Sequence, residues 1–339
     1  MTALSVLDQS LIPSGSTAAE ALRGTVALAR ESERLGYRRF WLAEHHNSGS
    51  VAGTAPEVLS SYVASRTSSI RVGSGGILMS HYSPLKVAEV FRTLEALFPG
   101  RIDLALGRTP GADPLASEAL HDGPGAFVDE DYPGRVADVI DFLHDTLSPD
   151  HRFAGVRAMP DGPSAPEAWV LGSSSYGSAL AARMGLPFSF AHFVSPRFGP
   201  QVMAAYRRRF RPSPLCPLPV ASVGVSVVCA DSDAEAERLA ISDDLWHLRP
   251  EGAERGCLLP VEEAEAFPLT DLEHELMVQQ QFRRVVGAPD RVRALLLNIA
   301  DAYGVEELVV RTVSHDPDAR LRSYRLLAAA FDLTLNREA

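Results

Sequence analysis

Side chains suited to acid–base chemistry follow the second apolar, β-rich run of the chain, in the stretch Trp41-Leu-Ala-Glu-His45-His46-Asn. An imidazole titrates near neutral pH, so one of these histidines could act as an acid or a base; a pair of structural histidines is the alternative interpretation. Adjacent residues of an extended strand point to opposite sides, so His45 and His46 are not expected to share a metal ion. No HExxH pattern occurs in the sequence, and no metal site is predicted.

Small residues follow two other β-rich runs. Ser74, Gly75 and Gly76 follow the third run, where glycine permits the close approach of a ligand or, alternatively, a β-bulge or tight turn. The fifth run leads into a helical pattern through Gly172, Ser173, Ser174, Ser175, Tyr176 and Gly177. Backbone N–H groups and hydroxyls at a helix N-terminus suit a phosphate group. Ordinary capping by serine is the alternative, although three serines exceed what one cap needs.

An arginine and an aromatic pair complete the candidate set. Arg108 follows the fourth run directly after Gly107, which favours an anion site or a surface ion pair. Phe190 and His192 lie on one side of the sixth run by period two, and they offer either a surface for a flat ring or part of a core. The sequence has no nucleophile elbow, carboxylate dyad or P-loop, so a flat phosphorylated cofactor fits this set better than hydrolysis does.

Eight β-rich runs alternate with segments of helical period and must position these side chains. The runs cover residues 4–7, 39–43, 70–74, 102–106, 168–171, 187–191, 221–229 and 307–311. This alternation predicts a (β/α)8 TIM barrel that forms one domain over residues 1–339, and an open doubly wound sheet is the alternative. Ligands of barrel enzymes bind at the carboxyl ends of the strands, which is where the candidate residues lie.

Helix starts and two interruptions refine this prediction. The stretch Ser16-Thr-Ala-Ala-Glu20 resembles a capping box, and Ser83-Pro84, Ser174 or Ser175, and 231–233 predict further helix starts. A last helix is predicted over 317–335. Residues 109–133 and 248–271 are rich in Gly, Pro and acidic residues, and they predict inserted loops on the catalytic face of the barrel.

Composition excludes several classes of protein. The 339 residues are 46% apolar with a net charge of −11 and no basic runs, so a globular chain that does not bind nucleic acid is expected. The three cysteines are far apart, which predicts neither a disulfide framework nor a zinc site. The N-terminus does not have the pattern of a signal peptide, and the apolar stretch 218–230 is too short to cross a membrane, so a cytoplasmic protein is expected.

The chain resembles the bacterial luciferase-like flavin monooxygenases from about residue 4 to residue 331. The resemblance lies in the stretches FWLAEHHN, GSGGILMSHYSPLKVAEVFRTLEALFPGRIDLALGR, WVLGSSSYGSALAARMGLPFSFAHF and HDPDARLRSYRLLAAAF. It implies a (β/α)8 barrel that uses reduced FMN and dioxygen to oxygenate a small organic substrate. The cofactor would supply the reactivity, and the protein would orient it and exclude water.

The resemblance also implies roles for individual residues. His45 matches the catalytic histidine next to the flavin, and Gly75–Gly76 matches a non-prolyl cis peptide beneath the isoalloxazine ring. Arg108 and residues 173–177 match the phosphate contacts. His192 matches a position near the ring that is aromatic in luciferase itself.

The expected partners follow from the same resemblance. The sequence has no nucleotide fingerprint for NAD(P)H, so a separate flavin reductase is expected to supply reduced FMN, and a homodimer is the family's common assembly. Gly107 stands where luciferase has a reactive cysteine, so no role of that thiol is expected. The long mobile luciferase loop has no clear counterpart in the sequence, so light emission from an aldehyde is not expected. Lys86 is the only lysine among 32 basic residues, which indicates a GC-rich genome and suggests tailoring of a secondary metabolite.

Two alternative functions remain open at this point. One is an oxidoreductase of the same superfamily that uses the deazaflavin coenzyme for hydride transfer. The other is a non-catalytic flavin-binding protein, because a shared fold does not establish a shared activity.

Overall fold

The computed structural model describes residues 2–120, 131–249 and 255–334. Its strands are β1 (Ala3–Asp8), β2 (Arg39–Leu42), β3 (Arg71–Leu78), β4 (Ile102–Gly107), β5 (Glu167–Gly172), β6 (Phe188–Ala191), β7 (Ala221–Cys229), β8 (Arg284–Gly287) and β9 (Glu307–Arg311). The helices in the described ranges are α1 (Ala18–Arg34), α2 (Pro56–Ser65), α3 (Pro84–Leu97), α4 (Pro114–Leu120), α5 (Tyr132–His144), α6 (Ser175–Met184), α7 (Gly199–Arg209), α8 (Asp233–Leu248), α9 (Val261–Glu265), α10 (Asp271–Gln280), α11 (Pro289–Tyr303) and α12 (Pro317–Ala330).

Eight parallel strands close into a barrel. Strands β1 to β6 pair in chain order, β7 pairs with both β6 and β9, and β9 pairs with β1. The largest buried apolar cluster lies between these strands and the surrounding helices. The predicted (β/α)8 barrel is therefore confirmed, and the open sheet is excluded, because the pairing of β6 with β7 closes the circle.

Strand β8 is an addition that the sequence interpretation missed. It pairs with the C-terminal half of β7, from Ser226 opposite Arg284 to Cys229 opposite Gly287. The N-terminal half of β7 pairs with β6. Its four residues directly follow a 3₁₀ turn (Gln281–Arg283). A run of that length has too few alternations to distinguish a strand from the end of a helix.

The predicted helix starts are confirmed, but the last helix is shorter than expected. The Thr17 side chain accepts a hydrogen bond from the Glu20 N–H, and the Glu20 carboxylate accepts one from the Thr17 N–H, which completes the capping box. Helix α12 ends at Ala330 rather than at 335, because Asp332 adopts a left-handed conformation with φ of 52°. A residue in that conformation ends the regular backbone hydrogen bonding of a helix.

The segment between β7 and α11 lies over the carboxyl ends of the strands. From α8, Trp246 packs against Val51 and Val313, which follow β2 and β9 respectively. The predicted insertions at 109–133 and 248–271 contain α4 and α9, and their parts 121–130 and 250–254 lie outside the described residues. Within the described ranges, no helix is both long and apolar enough to cross a membrane.

A buried ionic cluster closes the opposite end of the barrel. Arg39 on β2 contacts Asp103 on β4 at 2.9 Å and Glu307 on β9 at 2.7 Å. These strands are not neighbours in the barrel, so the contacts cross its interior. Above them, Trp41 and Trp169 pack edge to face with their rings 5.4 Å apart. The interior is therefore filled from below, and a ligand can enter only from the carboxyl ends of the strands.

Candidate active site

A cavity of about 260 Å³ opens at the carboxyl ends of the strands. Its walls come from the ends of β1 to β6 and from the connections that follow them. The predicted site residues that line it are His45, Gly75, Gly76, Arg108, Gly172, Ser173, Ser174, Tyr176 and Gly177. The structure thus brings together residues that are spread over about 130 positions of the chain, as expected for a ligand site of a barrel.

His45 occupies the connection just after β2, with its imidazole in the cavity wall. The His45 N–H donates to the Gly53 carbonyl at 3.0 Å, which fixes the backbone there. The Nδ1 atom is buried and has no hydrogen-bond partner among the described residues. Burial lowers the pKa of His45 to about 4, and the charges of Arg311 and Arg255 act in the same direction. The imidazole is therefore neutral at pH 7, with one donor and one acceptor nitrogen.

The neighbouring His46 has a structural role. Its Nε2 atom lies 2.8 Å from the buried carboxylate of Glu44. Glu44 also accepts hydrogen bonds from the Tyr82 hydroxyl at 2.8 Å and from the Leu78 N–H at 2.9 Å. His46 thus contacts Glu44 and does not line the cavity, whereas His45 does. Sequence reasoning did not assign a role to Glu44, and a carboxylate at the end of an apolar strand was the signal for it.

The two glycines of β3 form a closely packed part of the wall. The Gly75–Gly76 peptide bond is cis, as the resemblance implied, and the register with β4 shifts between Gly75 and Ile77. Ser74, in contrast, is fully buried and does not line the cavity. Its hydroxyl bridges the N–H and carbonyl of Ala105, at 3.1 Å each. Ser74 thus holds β3 against β4 and lies outside the cavity, unlike Gly75 and Gly76, for which a cofactor contact is also predicted.

Gly76→Ala is expected to destabilise the protein and narrow the cavity. A Cβ atom at position 76 would lie 2.4 Å from the carbonyl oxygen of Ala105, which is backbone and cannot rotate away. Overpacking of this kind costs about 1–3 kcal/mol. Urea denaturation measures the effect. The control is Gly134→Ala in α5, where a Cβ meets nothing within 4 Å and stability should hold or rise. Equal stabilities of the two variants would contradict the close packing at Gly76.

The N-terminus of α6 forms the opposite wall. Ser174 caps the helix by accepting from the Tyr176 N–H at 3.4 Å, and the guanidinium of Arg108 lies 4.6 Å from the centre of the Tyr176 ring. A Cβ on Gly177 would lie 3.3 Å from the Leu171 carbonyl oxygen, so the backbone approaches closely here. A helix N-terminus beside an arginine has the donors and the positive charge that suit a phosphate group. Ser175, the first residue of α6, is exposed and does not line the cavity.

His192 is placed differently from the expectation. Phe190 on β6 and His192 just after it do contact one neighbour, but that neighbour is α11, where His192 Nδ1 lies 2.8 Å from the Tyr303 hydroxyl and Phe190 packs on the same ring. Burial lowers the pKa of His192. The cavity is lined instead by Ala191 and Phe193. Period two indicates which residues share a side, but it does not indicate which side faces the barrel interior.

A polar clamp ties the α8 segment to the cavity wall, and sequence reasoning missed it. Arg311, the last residue of β9, makes two hydrogen bonds of 2.8 Å to the carboxylate of Asp243 on α8. Its Nε atom donates to the side-chain oxygen of Gln9, and Gln9 lines the cavity. We call Gln9, Arg311 and Asp243 the clamp. A charged residue at the end of an apolar strand was the only local signal for it.

The lining residues fit a flat cofactor with a phosphate group. The glycine wall leaves no space that a Cβ could occupy, the α6 N-terminus with Arg108 offers phosphate contacts, and His45 Nδ1 is a buried polar atom without a partner among the described residues. Among all residues that the structure describes, no group of three or more His, Cys, Asp or Glu side chains is arranged to hold a metal ion.

Comparison of the sequence with known proteins gives a consistent result. Residues 2–306 match the family model described as luciferase-like monooxygenase. YwcH of Bacillus subtilis, which has no assigned activity, is 44% identical over 98% of this chain and 99% of its own. The N-acetyl-S-alkylcysteine monooxygenase of Bacillus subtilis is 35% identical over 97% of this chain and 98% of its own.

Solved structures share the fold. The crystal structure of apo-MsnO8 superposes with a TM-score of 0.90 and 43% identity, covering 99% of this chain and 100% of that one. The oxygenating constituent of 3,6-diketocamphane monooxygenase from Pseudomonas putida, in complex with FMN, has a TM-score of 0.67 at 18% identity and covers 99% of both chains. An F420-dependent secondary alcohol dehydrogenase reaches 0.66 at 15% identity, covering 97% of this chain and 98% of that one. At these two lower identities the likeness concerns the fold alone.

Proposed function

The chain belongs to the luciferase-like monooxygenase family, and from this premise we propose that it is an FMN-dependent monooxygenase that oxygenates a small organic substrate. The observation that carries the proposal is the cavity in which His45, the Gly75–Gly76 bond, Arg108 and the N-terminus of α6 meet. Proteins with the same fold include one that binds FMN and one that depends on F420, so the titration below compares the two cofactors.

Each group of residues in the cavity would have a distinct role. Arg108 and the hydroxyls and N–H groups at the N-terminus of α6 would bind the phosphate. Gly75–Gly76 would back the ring system, and Leu171 and Phe193 would exclude water from it. Reduced FMN, when bound, supplies the electrons that activate dioxygen. The neutral His45 would donate a hydrogen bond to the group that gains negative charge beside it, or accept a proton from the substrate as a base.

Reduced FMN would come from a separate flavin reductase, because the sequence has no GxGxxG nucleotide fingerprint. The 35% identical relative is named as an N-acetyl-S-alkylcysteine monooxygenase, so thioether carboxylates are the first substrates to test. Mass spectrometry would detect a product that has gained one oxygen atom. A role in tailoring a secondary metabolite rests on the arginine bias alone, and a gene neighbourhood without biosynthetic enzymes would remove it.

Anaerobic titration with reduced FMN, followed by rapid mixing with oxygenated buffer, tests the proposed function. We expect saturable binding and a slower return of the oxidised-flavin absorbance than for free reduced FMN. Oxidation of NADH or NADPH by the pure protein would contradict the separate reductase. Binding of the deazaflavin coenzyme without binding of FMN would identify a hydride-transferring oxidoreductase instead. Binding of FMN with no change in its reaction with oxygen, and no product, would identify a flavin-binding protein without activity.

A further inference from the structure

A second cavity adjoins the first one at the mouth of the barrel. It has a volume of about 740 Å³ and lies between the connection after β6 and the 3₁₀ turn that follows α10. Val194 lines both cavities, so the two are neighbours. A volume of this size is in the range of sites that bind small organic molecules.

Two phenylalanines give the second cavity an apolar surface. Phe198 is 69% exposed and Phe282 is 76% exposed, although both side chains line the same concave surface. Single exposed apolar residues are common on proteins, but a group of them in a cavity indicates a binding surface. An apolar ligand would remove both rings from water.

Two arginines make the same cavity positively charged. Arg197 and Arg283 line it, and no acidic residue is found among its described lining residues. Neither guanidinium forms an ion pair or a hydrogen bond within the described parts of the chain. The adjacent Arg284, in contrast, pairs with Asp244 at 2.8 Å and with Glu237 at 3.0 Å. The chain has more acidic than basic residues, with a net charge of −11. Two arginines in one cavity without carboxylate partners are therefore unexpected.

We propose that this second cavity binds the part of the substrate that is remote from the reaction, and that the substrate is an organic acid with an apolar body. The phenyl rings of Phe198 and Phe282 contact the apolar body. The guanidinium groups of Arg197 and Arg283 bind the carboxylate or sulfonate, whose oxygens match the donor geometry of arginine. The reactive end then passes Val194 into the cavity of His45. This inference rests on the proposed function, because it assumes that the first cavity is the reaction site.

Two dyes with the same aromatic body separate the charge from the apolar contact. Anilinonaphthalene sulfonate is anionic, and N-phenylnaphthylamine is its uncharged analogue; both fluoresce more strongly in apolar sites. We expect the sulfonate to bind with 1:1 stoichiometry and more tightly than the uncharged dye. Phenylbutanoate should displace it, and phenylbutanamide should not, because the amide has no charge for the arginines to bind.

Variants then locate the binding site. Arg197→Gln/Arg283→Gln should weaken binding of the sulfonate about tenfold and change binding of the uncharged dye by less than about twofold. Phe198→Ala/Phe282→Ala should weaken binding of both dyes. The matched control is Arg208→Gln/Arg209→Gln, which removes the same charge from exposed positions of α7 and should leave both affinities unchanged.

Several results would overturn the proposal. One is equal loss of sulfonate binding in the control and in the Arg197→Gln/Arg283→Gln variant, since this would reveal a general charge effect. Another is sedimentation showing that the Phe198→Ala/Phe282→Ala variant dissociates a homodimer, since the apolar surface would then be an interface between two copies. Titration of the wild-type protein with FMN is the independent check. If FMN binds but the sulfonate dye does not, this inference alone is refuted. If FMN does not bind, the proposed function is refuted.

Discussion

Replacement of His45 by Asn is expected to reduce product formation about 10²- to 10⁴-fold, the usual range for loss of an acid–base group. The imidazole lies in the cavity wall and is neutral at pH 7, so it can donate a hydrogen bond where negative charge develops and can accept a proton as a base. Asparagine is of similar size and still forms hydrogen bonds, but it cannot transfer a proton. Affinity for FMN should change little, because the proposed phosphate contacts lie on Arg108 and α6. The rate of product formation is measured with a thioether carboxylate that the protein oxygenates, and the affinity for FMN is measured by fluorescence titration.

His46→Asn is the matched control. His46 contacts the buried Glu44 carboxylate at 2.8 Å, so its loss should lower the thermal midpoint and leave the chemical step largely intact. Glu44 would be left with its contacts to Tyr82 and Leu78. Equal rate losses in the two variants would contradict a specific role for His45. A loss of FMN affinity as large as the loss of rate would also contradict it, because His45 would then act in binding.

Because the pKa of His45 is lowered in the folded protein, the contribution of His45 to stability should depend on pH. In the unfolded chain the imidazole has its ordinary pKa of 6.5, and in the folded protein burial lowers the pKa to about 4. Between these values the unfolded chain binds the extra proton, so the stabilising contribution is complete above pH 6.5 and is lost as the pH falls towards 4. The difference in unfolding free energy between wild type and His45→Asn should therefore shift with pH between 7.5 and 5. A constant difference would contradict the lowered pKa.

The sequence predicts those parts of the site that are local in the chain. His45, Gly75 and Gly76, and the run from 172 to 177 each follow one strand directly, so recognition of the strand places the residue at the mouth of the barrel. Thr17 and Glu20 likewise define the start of α1 because both members of the capping box lie within one helical turn.

Interactions between distant segments could not be predicted in this way. Arg311 and Gln9 are 302 positions apart, and Arg311 and Asp243 are 68 apart, so only the folded barrel brings the clamp together. His192 shows a different limit. Strand β6 has four residues, and a strand that short carries no pattern of apolar and polar residues that would show which side faces the interior.

The clamp is the second place where a single substitution should have a large effect. Asp243→Ala is expected to destabilise the protein by about 3–5 kcal/mol, because it leaves the charge of Arg311 buried without its carboxylate partner. The side chains of Arg311 and Asp243 are 2% and 8% exposed, so water cannot replace the lost contact. Burial opposes ionisation of Asp243, but the charges of Arg311 and His247 outweigh it and hold the pKa of this carboxyl well below its usual range.

An exposed ion pair is the control for the clamp. Arg322 and Asp231 are 2.6 Å apart, but their side chains are 54% and 59% exposed, so Asp231→Ala should have little effect on stability. Urea denaturation of both variants at one pH and ionic strength measures the contrast. Similar losses for Asp243→Ala and Asp231→Ala would contradict the argument that burial of the charge determines the cost.

The double variant separates the cost of an unpaired charge from the value of the pair. Asp243→Leu and Arg311→Met should each destabilise the protein, whereas the double variant should be more stable than the sum of the single effects predicts, because no charge is left without a partner. Arg311→Met should also raise the pKa of His45, since the charge of Arg311 helps to lower it. Asp243→Leu retains that charge and should not raise it. A histidine NMR titration distinguishes the two variants, and a pKa that rises equally in both would show that loss of the α8 contact, rather than the charge of Arg311, controls His45.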